Sequence, residues 1–308
     1  MSAQKLSKSL VAPLRGVSPS VVRGLTVVMG AVGLWGGADL LSLGLLKGRA
    51  IAQVGLSPML IQAEMAQDQI HNSQIHNSQI HNNITRTVSV TNPSDEPMRV
   101  RMYAEPFTYD RMNGFVLLDE DSRDLSRDLT PHLQFSPGEF VLEANAKQQV
   151  QVMGSLPPSL TETEYRAVIL ADSVPENASV NSAQAIVQTR IGSTLYVRQS
   201  DSKPLFSIVS AQWSTDENQA QLLVRNVGEA TARPNARWTI MRGGETVATG
   251  QSGATTVIEG GDRLIPLPYY SESGADLPPG NYEIRGALTW HFGAEQASQP
   301  FSANLRVQ

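Results

Sequence analysis

The sequence contains no cysteine in 308 residues. This absence excludes a disulfide scaffold, thiolate zinc sites, cysteine-ligated clusters and a cysteine nucleophile. Charged residues are also scarce, at 17% of the chain, and acids outnumber bases by 29 to 24. A chain of this length is sufficient for two domains of ordinary size.

The few basic residues are concentrated at the N-terminus. Residues 1–52 contain six Lys or Arg and one acid, Asp39. The rest of the chain therefore has 18 bases and 28 acids, a formal charge of −10. Because affinity for nucleic acid depends on a basic footprint, this composition excludes a nucleic-acid partner.

Residues 1–52 have the order of a secretory signal peptide. A basic segment precedes the apolar and small residues 25–38, and a small-x-small site ends at Ala52. These are the three parts of such a signal. A retained anchor is the alternative, but Asp39 interrupts the apolar run well short of the roughly 20 residues that span a bilayer. We expect cleavage near Ala52, export from the cytoplasm, and membrane contact only through the uncleaved signal peptide.

Alternation with a period of two residues dominates the chain after Gln53. In residues 98–105 the inward positions are Met98, Val100, Met102 and Ala104. Such alternation is typical of strands with one buried face and one wet face. Strands are predicted at 84–92, 98–105, 139–143, 148–153, 164–171, 185–198, 219–226, 237–242, 263–267, 282–290 and 300–307. The charged segment 108–132 is interpreted as a solvated loop.

Turn signals separate these strands. Arg242-Gly243-Gly244-Glu245 predicts a tight hairpin, because both glycines accept positive φ. Tyr282 follows a Pro-Gly turn and resembles the tyrosine corner of immunoglobulin-like sandwiches. Trp213, Trp238 and Trp290 are interpreted as core residues of a second sandwich.

Short strands at this spacing predict β-sandwiches. We therefore expect an all-β chain in which two tandem immunoglobulin-like β-sandwich domains follow the signal peptide. Their predicted boundaries are residues 53–199 and 204–308.

The first of these blocks, over residues 54–198, contains the motifs Gly55-Leu56-Ser57-Pro58, Val88 to Pro93, Leu133 to Phe140, Leu156-Pro157 to Val174-Pro175, and Arg190-Ile191 through Arg198. With these motifs the block resembles the PapD-like family of periplasmic pilus-assembly chaperones. The resemblance implies two immunoglobulin-like domains with a cleft between them that caps an incomplete pilin subunit. It also implies a periplasmic location and secreted or pilus-type subunits as partners, and it leaves open an outer-membrane assembly protein. The second block matches the family only as a sandwich.

The resemblance breaks at the positions that hold the partner. In the family, two basic residues bind the terminal carboxylate of the subunit by charge-assisted hydrogen bonds. The matching positions here are Leu60 and Thr194, which carry no charge. Arg86 and Arg190 remain as alternatives for a carboxylate clamp, and the competing interpretation places both at the surface.

Two further site expectations follow from the resemblance. The family's interdomain ion pair is expected to be kept, as Glu164 and Arg198. Family chaperones also pair the edge of one strand with the subunit, and the matching edge is expected in residues 185–195. Val187, Thr189 and Ile191 are expected to face the partner there.

His71, His76 and His81 recur in a repeated Gln-Ile-His-Asn segment. A spacing of five places neighbours on opposite faces of a strand and about 140° apart on a helix. Because no regular element converges them, we interpret the repeat as a tandem duplication that lengthens a loop, and no metal is predicted.

Other chemistry is not indicated. Asp119, Glu120, Asp121 and Asp124 lack the glycine and the terminal glutamate of an EF-hand loop, and they are interpreted as a solvated run. There is no G-x-S-x-G elbow, no H-E-x-x-H and no phosphate-binding loop. No enzyme activity or cofactor is predicted. Two functions remain: a chaperone-like protein that binds subunits by strand addition, which the extent of the likeness favours, and a structural or adhesive envelope protein without client capture.

Overall fold

A computed structural model describes residues 54–65, 82–112, 114–119, 125–156, 162–175, 188–199, 201–270 and 276–308. Within these ranges the chain forms eighteen β-strands, two short 3₁₀ helices and no α-helix, which confirms the predicted all-β class. The same ranges contain no helix with the length and apolar character needed to cross a bilayer. The predicted signal peptide, the histidine repeat and most of the acidic run lie outside the described residues.

The first sandwich consists of two facing sheets. One sheet has the order β1 (Gly55–Ser57), β3 (Asn82–Thr91), β9 (Lys147–Leu156) and β7 (Leu133–Ser136). The other has the order β2 (Leu60–Met65), β11 (Thr189–Gln199), β10 (Glu164–Pro175), β4 (Met98–Glu105) and β8 (Glu139–Leu142). Alternate residues of these strands, such as Val88, Val150 and Ile169, fill the space between the sheets. The inward register predicted for residues 98–105 is confirmed for Met98, Val100 and Met102, which are buried.

The second sandwich repeats this plan with seven strands. Its smaller sheet has the order β12 (Phe206–Ser214), β13 (Gln219–Asn226) and β16 (Asp262–Pro268). Its larger sheet has the order β15 (Glu245–Gln251), β14 (Asn235–Arg242), β17 (Gly280–Phe292) and β18 (Glu295–Val307). Trp238 and Trp290 are buried in its core and Trp213 packs against that core, which confirms their interpretation.

Both turn predictions in the second sandwich are confirmed. Gly243 and Gly244 have φ of 61° and 90° and connect the pair Arg242 and Glu245. The hydroxyl of Tyr282 donates a hydrogen bond of 2.6 Å to the carbonyl of Pro278, four residues upstream. This is the hydrogen bond that defines a tyrosine corner.

A buried asparagine ends a strand in each sandwich. After β3, the amide of Asn92 donates to the carbonyl oxygens of Glu96, Leu142 and Glu143 at 2.8–3.1 Å. At the last position of β13, the amide of Asn226 donates to two carbonyl oxygens of the second sandwich at 2.8 and 3.1 Å. Each side chain therefore connects the end of a strand to loop carbonyl oxygens by buried hydrogen bonds.

The interpretation of residues 108–132 as a solvated loop is wrong. Strands β5 (Phe107–Asp110) and β6 (Gly114–Leu117) form a hairpin in this segment, and two 3₁₀ helices follow at Leu125–Arg127 and Thr130–His132. Phe107 is 1% exposed and Leu129 is fully buried. Of the charged residues in this segment, Asp110 and Arg111 lie at the tip of the hairpin, where β5 ends.

Candidate functional site: an open strand edge beside the interdomain cleft

Strand β11 has two different edges. Along one edge, β10 pairs with residues 189–198 in antiparallel register. Along the other edge, β2 pairs in parallel register, but only with residues 194–199. No strand of the described residues pairs with residues 190–193 on that side. We call the main chain of residues 190–193 the rim.

The polar groups of the rim point away from the sheet at alternate residues. The N–H of Thr194 donates to the carbonyl of Met59 at 3.1 Å, so Thr194 directs its main chain towards β2. Because main-chain direction alternates along a strand, Arg190 and Gly192 direct their N–H and C=O groups to the same side, beyond the end of β2. Such a row of groups is a template for pairing with another chain.

The side chains expected to face a partner are placed differently. Val187 lies outside the described residues. Thr189 is half-buried, and its carbonyl accepts a hydrogen bond from the hydroxyl of Ser173. Ile191 packs against the core of the first sandwich, because it shares the inward register of Leu195. The expectation that Ile191 presents its side chain to a partner is corrected: the available groups of the rim are the main-chain groups of its neighbours Arg190 and Gly192.

Leu60 and Thr194 lie side by side where β2 begins to cover β11. They are direct partners in the parallel register, and both are half-buried. The resemblance to PapD-like chaperones predicted the two anchor positions at these residues, and the fold places the two residues next to each other. The pair offers no charge, so it cannot bind a carboxylate in the way that the family anchors do.

An apolar cluster joins the two sandwiches on this face. Its buried members are Phe107, Val168, Leu170, Tyr196 and Ile258, and we call these residues the interdomain cluster. The ring of Phe107 stacks on Phe115 at 5.1 Å and meets Tyr196 edge-on at 5.8 Å. Since Ile258 belongs to the second sandwich, the cluster fills part of the cleft with the chain's own side chains.

The β5–β6 hairpin also bonds to strand β16 of the second sandwich. Leu264 donates its N–H to the carbonyl of Arg111 at 3.1 Å, and the guanidinium of Arg263 donates to the carbonyl of Asp110. Arg111 forms an ion pair of 2.8 Å with Asp262. Sequence reasoning missed this contact, although the alternation of aromatic residues around Gly114 is a hairpin signal.

Arg166 is a further buried residue that the sequence did not indicate. It is 9% exposed, and its Nε donates to the carbonyl of Phe107 at 3.4 Å. Burial lowers the pKa of this guanidinium, and the charge of Glu164 raises it. Arg166 occupies a position of β10 that alternation assigns to the solvent-facing side of the sheet. The hairpin covers that face, and so Arg166 is enclosed.

The expected ion pair between Glu164 and Arg198 is not formed, although the two residues face each other in the register of β10 and β11. The carboxylate of Glu164 instead accepts hydrogen bonds from the N–H and the hydroxyl of Thr231. Arg198 pairs with Glu64 at 2.6 Å and lies over the ring of Phe292 at 3.8 Å. Both residues therefore link the two sandwiches, but each does so separately.

The two arginines considered as a carboxylate clamp are far apart in the fold. Arg86 lies on β3, in the opposite sheet, and donates to the carbonyl of Thr85 at 2.9 Å. Arg190 forms two hydrogen bonds, of 2.8 and 3.2 Å, with the carboxylate of Asp172 on the neighbouring strand. The hydroxyl of Tyr103 donates to the same carboxylate at 2.9 Å. Arg190 therefore already has an internal carboxylate partner.

Among the described residues, no group of three or more His, Asp or Glu side chains is placed to hold a metal ion. A groove of about 750 Å³ runs between the β5–β6 hairpin and the second sandwich, with Asp110, Arg111, Arg225 and Asp262 in its wall. Opposite charges in this wall are already paired, since Asp262 contacts both arginines.

Three solved structures are among those to which this chain is similar. The Salmonella enterica SafA pilin in complex with the SafB chaperone matches at 16% identity and a TM-score of 0.43, covering 82% of this chain and 96% of the other. The E. coli chaperone DraB matches at 15% identity and a TM-score of 0.42, covering 83% and 97%. The CsuC–CsuE chaperone–tip adhesion subunit complex from the Csu pili of Acinetobacter baumannii matches at 13% identity and a TM-score of 0.44, covering 83% and 100%.

No protein-family model and no curated protein matches the sequence. Each of the three structures is, or contains, a chaperone, the class that the motifs of the first sandwich resemble. At these TM-scores the similarity does not assign a function.

Proposed function

We propose that this protein is a periplasmic, chaperone-like protein that binds extended segments of secreted or pilus-type subunits by strand addition. The rim of β11 is the binding edge, and the bound segment continues the sheet at residues 190–193. The observation that carries the proposal is the incomplete pairing of β11: β2 covers residues 194–199 and stops. The motifs of the first sandwich give this edge the same place in the chain as the partner-binding strand of PapD-like chaperones.

The rim supplies part of the affinity. Arg190 and Gly192 together offer two donors and two acceptors on the open side of β11. At a net contribution of about 0.5–1.5 kcal/mol each, four hydrogen bonds give about 2–6 kcal/mol, from which the cost of ordering the partner is subtracted. Stable capture therefore also requires the partner to bury apolar side chains against the first sandwich.

A proline at the rim tests the proposal directly. Arg190→Pro removes an outward N–H and leaves the bonds to β10, because β10 pairs through the other set of main-chain groups. Arg190→Ala is the matched control, since it removes the same ion pair with Asp172 and retains the N–H. We expect Arg190→Pro to lose subunits that co-purify with the mature protein from periplasmic extract, and Arg190→Ala to keep them. Equal capture by the two variants would refute strand addition at this edge.

One observation favours a second function, a structural or adhesive envelope protein without client capture. The interdomain cluster and the β5–β6 hairpin occupy the cleft, and Leu60 and Thr194 provide no charge there. If this function is the correct one, no subunit co-purifies with the unmodified protein, and neither rim variant changes its behaviour.

A further inference from the structure

A strand that pairs with the rim meets a fixed stop. Strand β2 begins at Leu60 on the same edge of β11, and the segment before it is held in place by two hydrogen bonds. The hydroxyl of Ser193 donates to the carbonyl of Pro58 at 2.7 Å, and the N–H of Thr194 donates to the carbonyl of Met59 at 3.1 Å. A partner strand along residues 190–193 therefore has to end or turn away at Met59.

The surroundings of this stop are neutral. Leu60 and Thr194 are the residues at the start of the covered edge, and Met59 beside them is 41% exposed. The charged side chains on the neighbouring positions are engaged elsewhere. Arg190 binds Asp172, and Arg198 binds Glu64 farther along the covered edge.

Arg166, the cation nearest to Thr194 on this face of β10, is enclosed. Arg166 on β10 is the register partner of Tyr196 on β11. Tyr196 lies two residues beyond Thr194, on the same face of the sheet. The carbonyl of Phe107 accepts a hydrogen bond from its Nε, and the side chain is 9% exposed. A chain end at Met59 would have to displace the hairpin to reach it.

We propose that the rim accepts an internal segment of its partner, one that continues past Met59, and does not accept a chain terminus. A terminal carboxylate or ammonium at the stop would lose part of its hydration without gaining an opposite charge, which is unfavourable. A segment that turns away places only neutral main chain there and can cover Met59 with an apolar side chain. This inference rests on the proposed function, and it names the kind of segment that the site takes.

The test uses one peptide in three forms. A nine-residue peptide of alternating valine and threonine is preceded by two lysines, with an acetylated N-terminus and a fluorophore on the side chain of the first lysine. It is made with a free carboxylate, with a C-terminal amide, and with a Gly-Ser-Gly-Ser amide extension. Fluorescence anisotropy measures the binding of each form to the mature protein. We expect the amide and extended forms to bind about fivefold more tightly than the free carboxylate, because they bring no charge to the stop.

Placing a cation at the stop should reverse this preference. Thr194→Lys and, independently, Leu60→Arg are expected to favour the free carboxylate, and circular dichroism checks that each remains folded. Gln151→Arg, an exposed position of β9 in the opposite sheet, is the matched control and should keep the order of the unmodified protein. Tighter binding of the free carboxylate by the unmodified protein would overturn the inference and leave strand addition intact. Failure of all three forms to bind would overturn the proposed function and this inference together.

Discussion

Glu164 of the first sandwich accepts two hydrogen bonds from Thr231 of the second, one from the main-chain N–H at 2.7 Å and one from the hydroxyl. The carboxylate is buried at the junction of the two sandwiches. Burial raises its pKa, and the two hydrogen bonds from Thr231 partly oppose this effect. A single carboxylate of the first sandwich is thereby hydrogen-bonded to both the main chain and the side chain of a residue of the second.

The pH dependence of stability follows from this burial. Between the usual carboxyl pKa of 4.5 and the raised value in the folded protein, the folded state binds more protons than the unfolded state. Stability contributed by the protonated carboxyl is therefore lost as the pH rises through that window. The unfolding free energy should therefore fall less from pH 4.5 to pH 7.5 in Glu164→Gln than in the unmodified protein, as measured by urea denaturation.

Glu245→Gln is the matched control for this prediction, because Glu245 lies exposed at the start of β15. Part of the pH dependence should survive Glu164→Gln, because burial also raises the pKa of Glu259 at the same junction. An unchanged difference between the two pH values in Glu164→Gln would contradict the assignment.

Removal of the Thr231 hydroxyl should destabilise the junction. Thr231→Val takes one donor from a buried carboxylate, and an unsatisfied buried group costs about 1–3 kcal/mol. Urea unfolding at pH 7.5 measures the loss. Thr249→Val, at an exposed position of β15, should change stability by less than about 0.5 kcal/mol. Equal effects from the two variants would show that Thr231 does not support Glu164.

Phe107 should be among the most costly side chains to truncate. It is 1% exposed, and its ring contacts the rings of Phe115, Tyr109 and Tyr196 where the two sandwiches meet. Phe107→Ala is expected to lower the free energy of unfolding by about 3–5 kcal/mol. Tyr270→Ala is the control, because Tyr270 is 88% exposed. A loss below about 1 kcal/mol for Phe107→Ala would place the hairpin away from the cleft.

The two strand-ending asparagines should contribute to stability in parallel. Asn92→Ala and Asn226→Ala each remove at least two buried hydrogen bonds to loop carbonyl oxygens, and we expect each to cost about 1–3 kcal/mol or more. Thermal and urea unfolding measure the effect. Asn281→Ala, at an exposed position of β17, provides the comparison. If Asn92→Ala or Asn226→Ala is as stable as the unmodified protein, the role given to that asparagine is contradicted.

Much of the fold follows from local pattern. Strands β4 and β13 have the bounds predicted from alternation, because each has one face in a core and the other near water. The hairpin at residues 107–117 could not be predicted in this way. Its strands are four residues long, and their apolar face packs against residues far away in the chain, such as Ile258. Local alternation gives no signal for a contact of this kind.

The site was predictable in position and less so in its contacts. The resemblance grouped Leu60 with Thr194 and Glu164 with Arg198, and the members of each pair are direct partners in the strand register. It could not show that Thr231, 67 residues beyond Glu164, would take the carboxylate. The same limit applies to Arg166, whose burial depends on the hairpin.

Hydrogen exchange at the rim tests the central claim most directly. In the free protein, the amides of Arg190 and Gly192 should exchange rapidly, while the amide of Leu195, which points towards β10, should be protected. Addition of a captured subunit should slow the exchange of Arg190 and Gly192 and leave Leu195 unchanged. Slow exchange of both rim amides in the free protein, or no change when a subunit is bound, would contradict capture by strand addition.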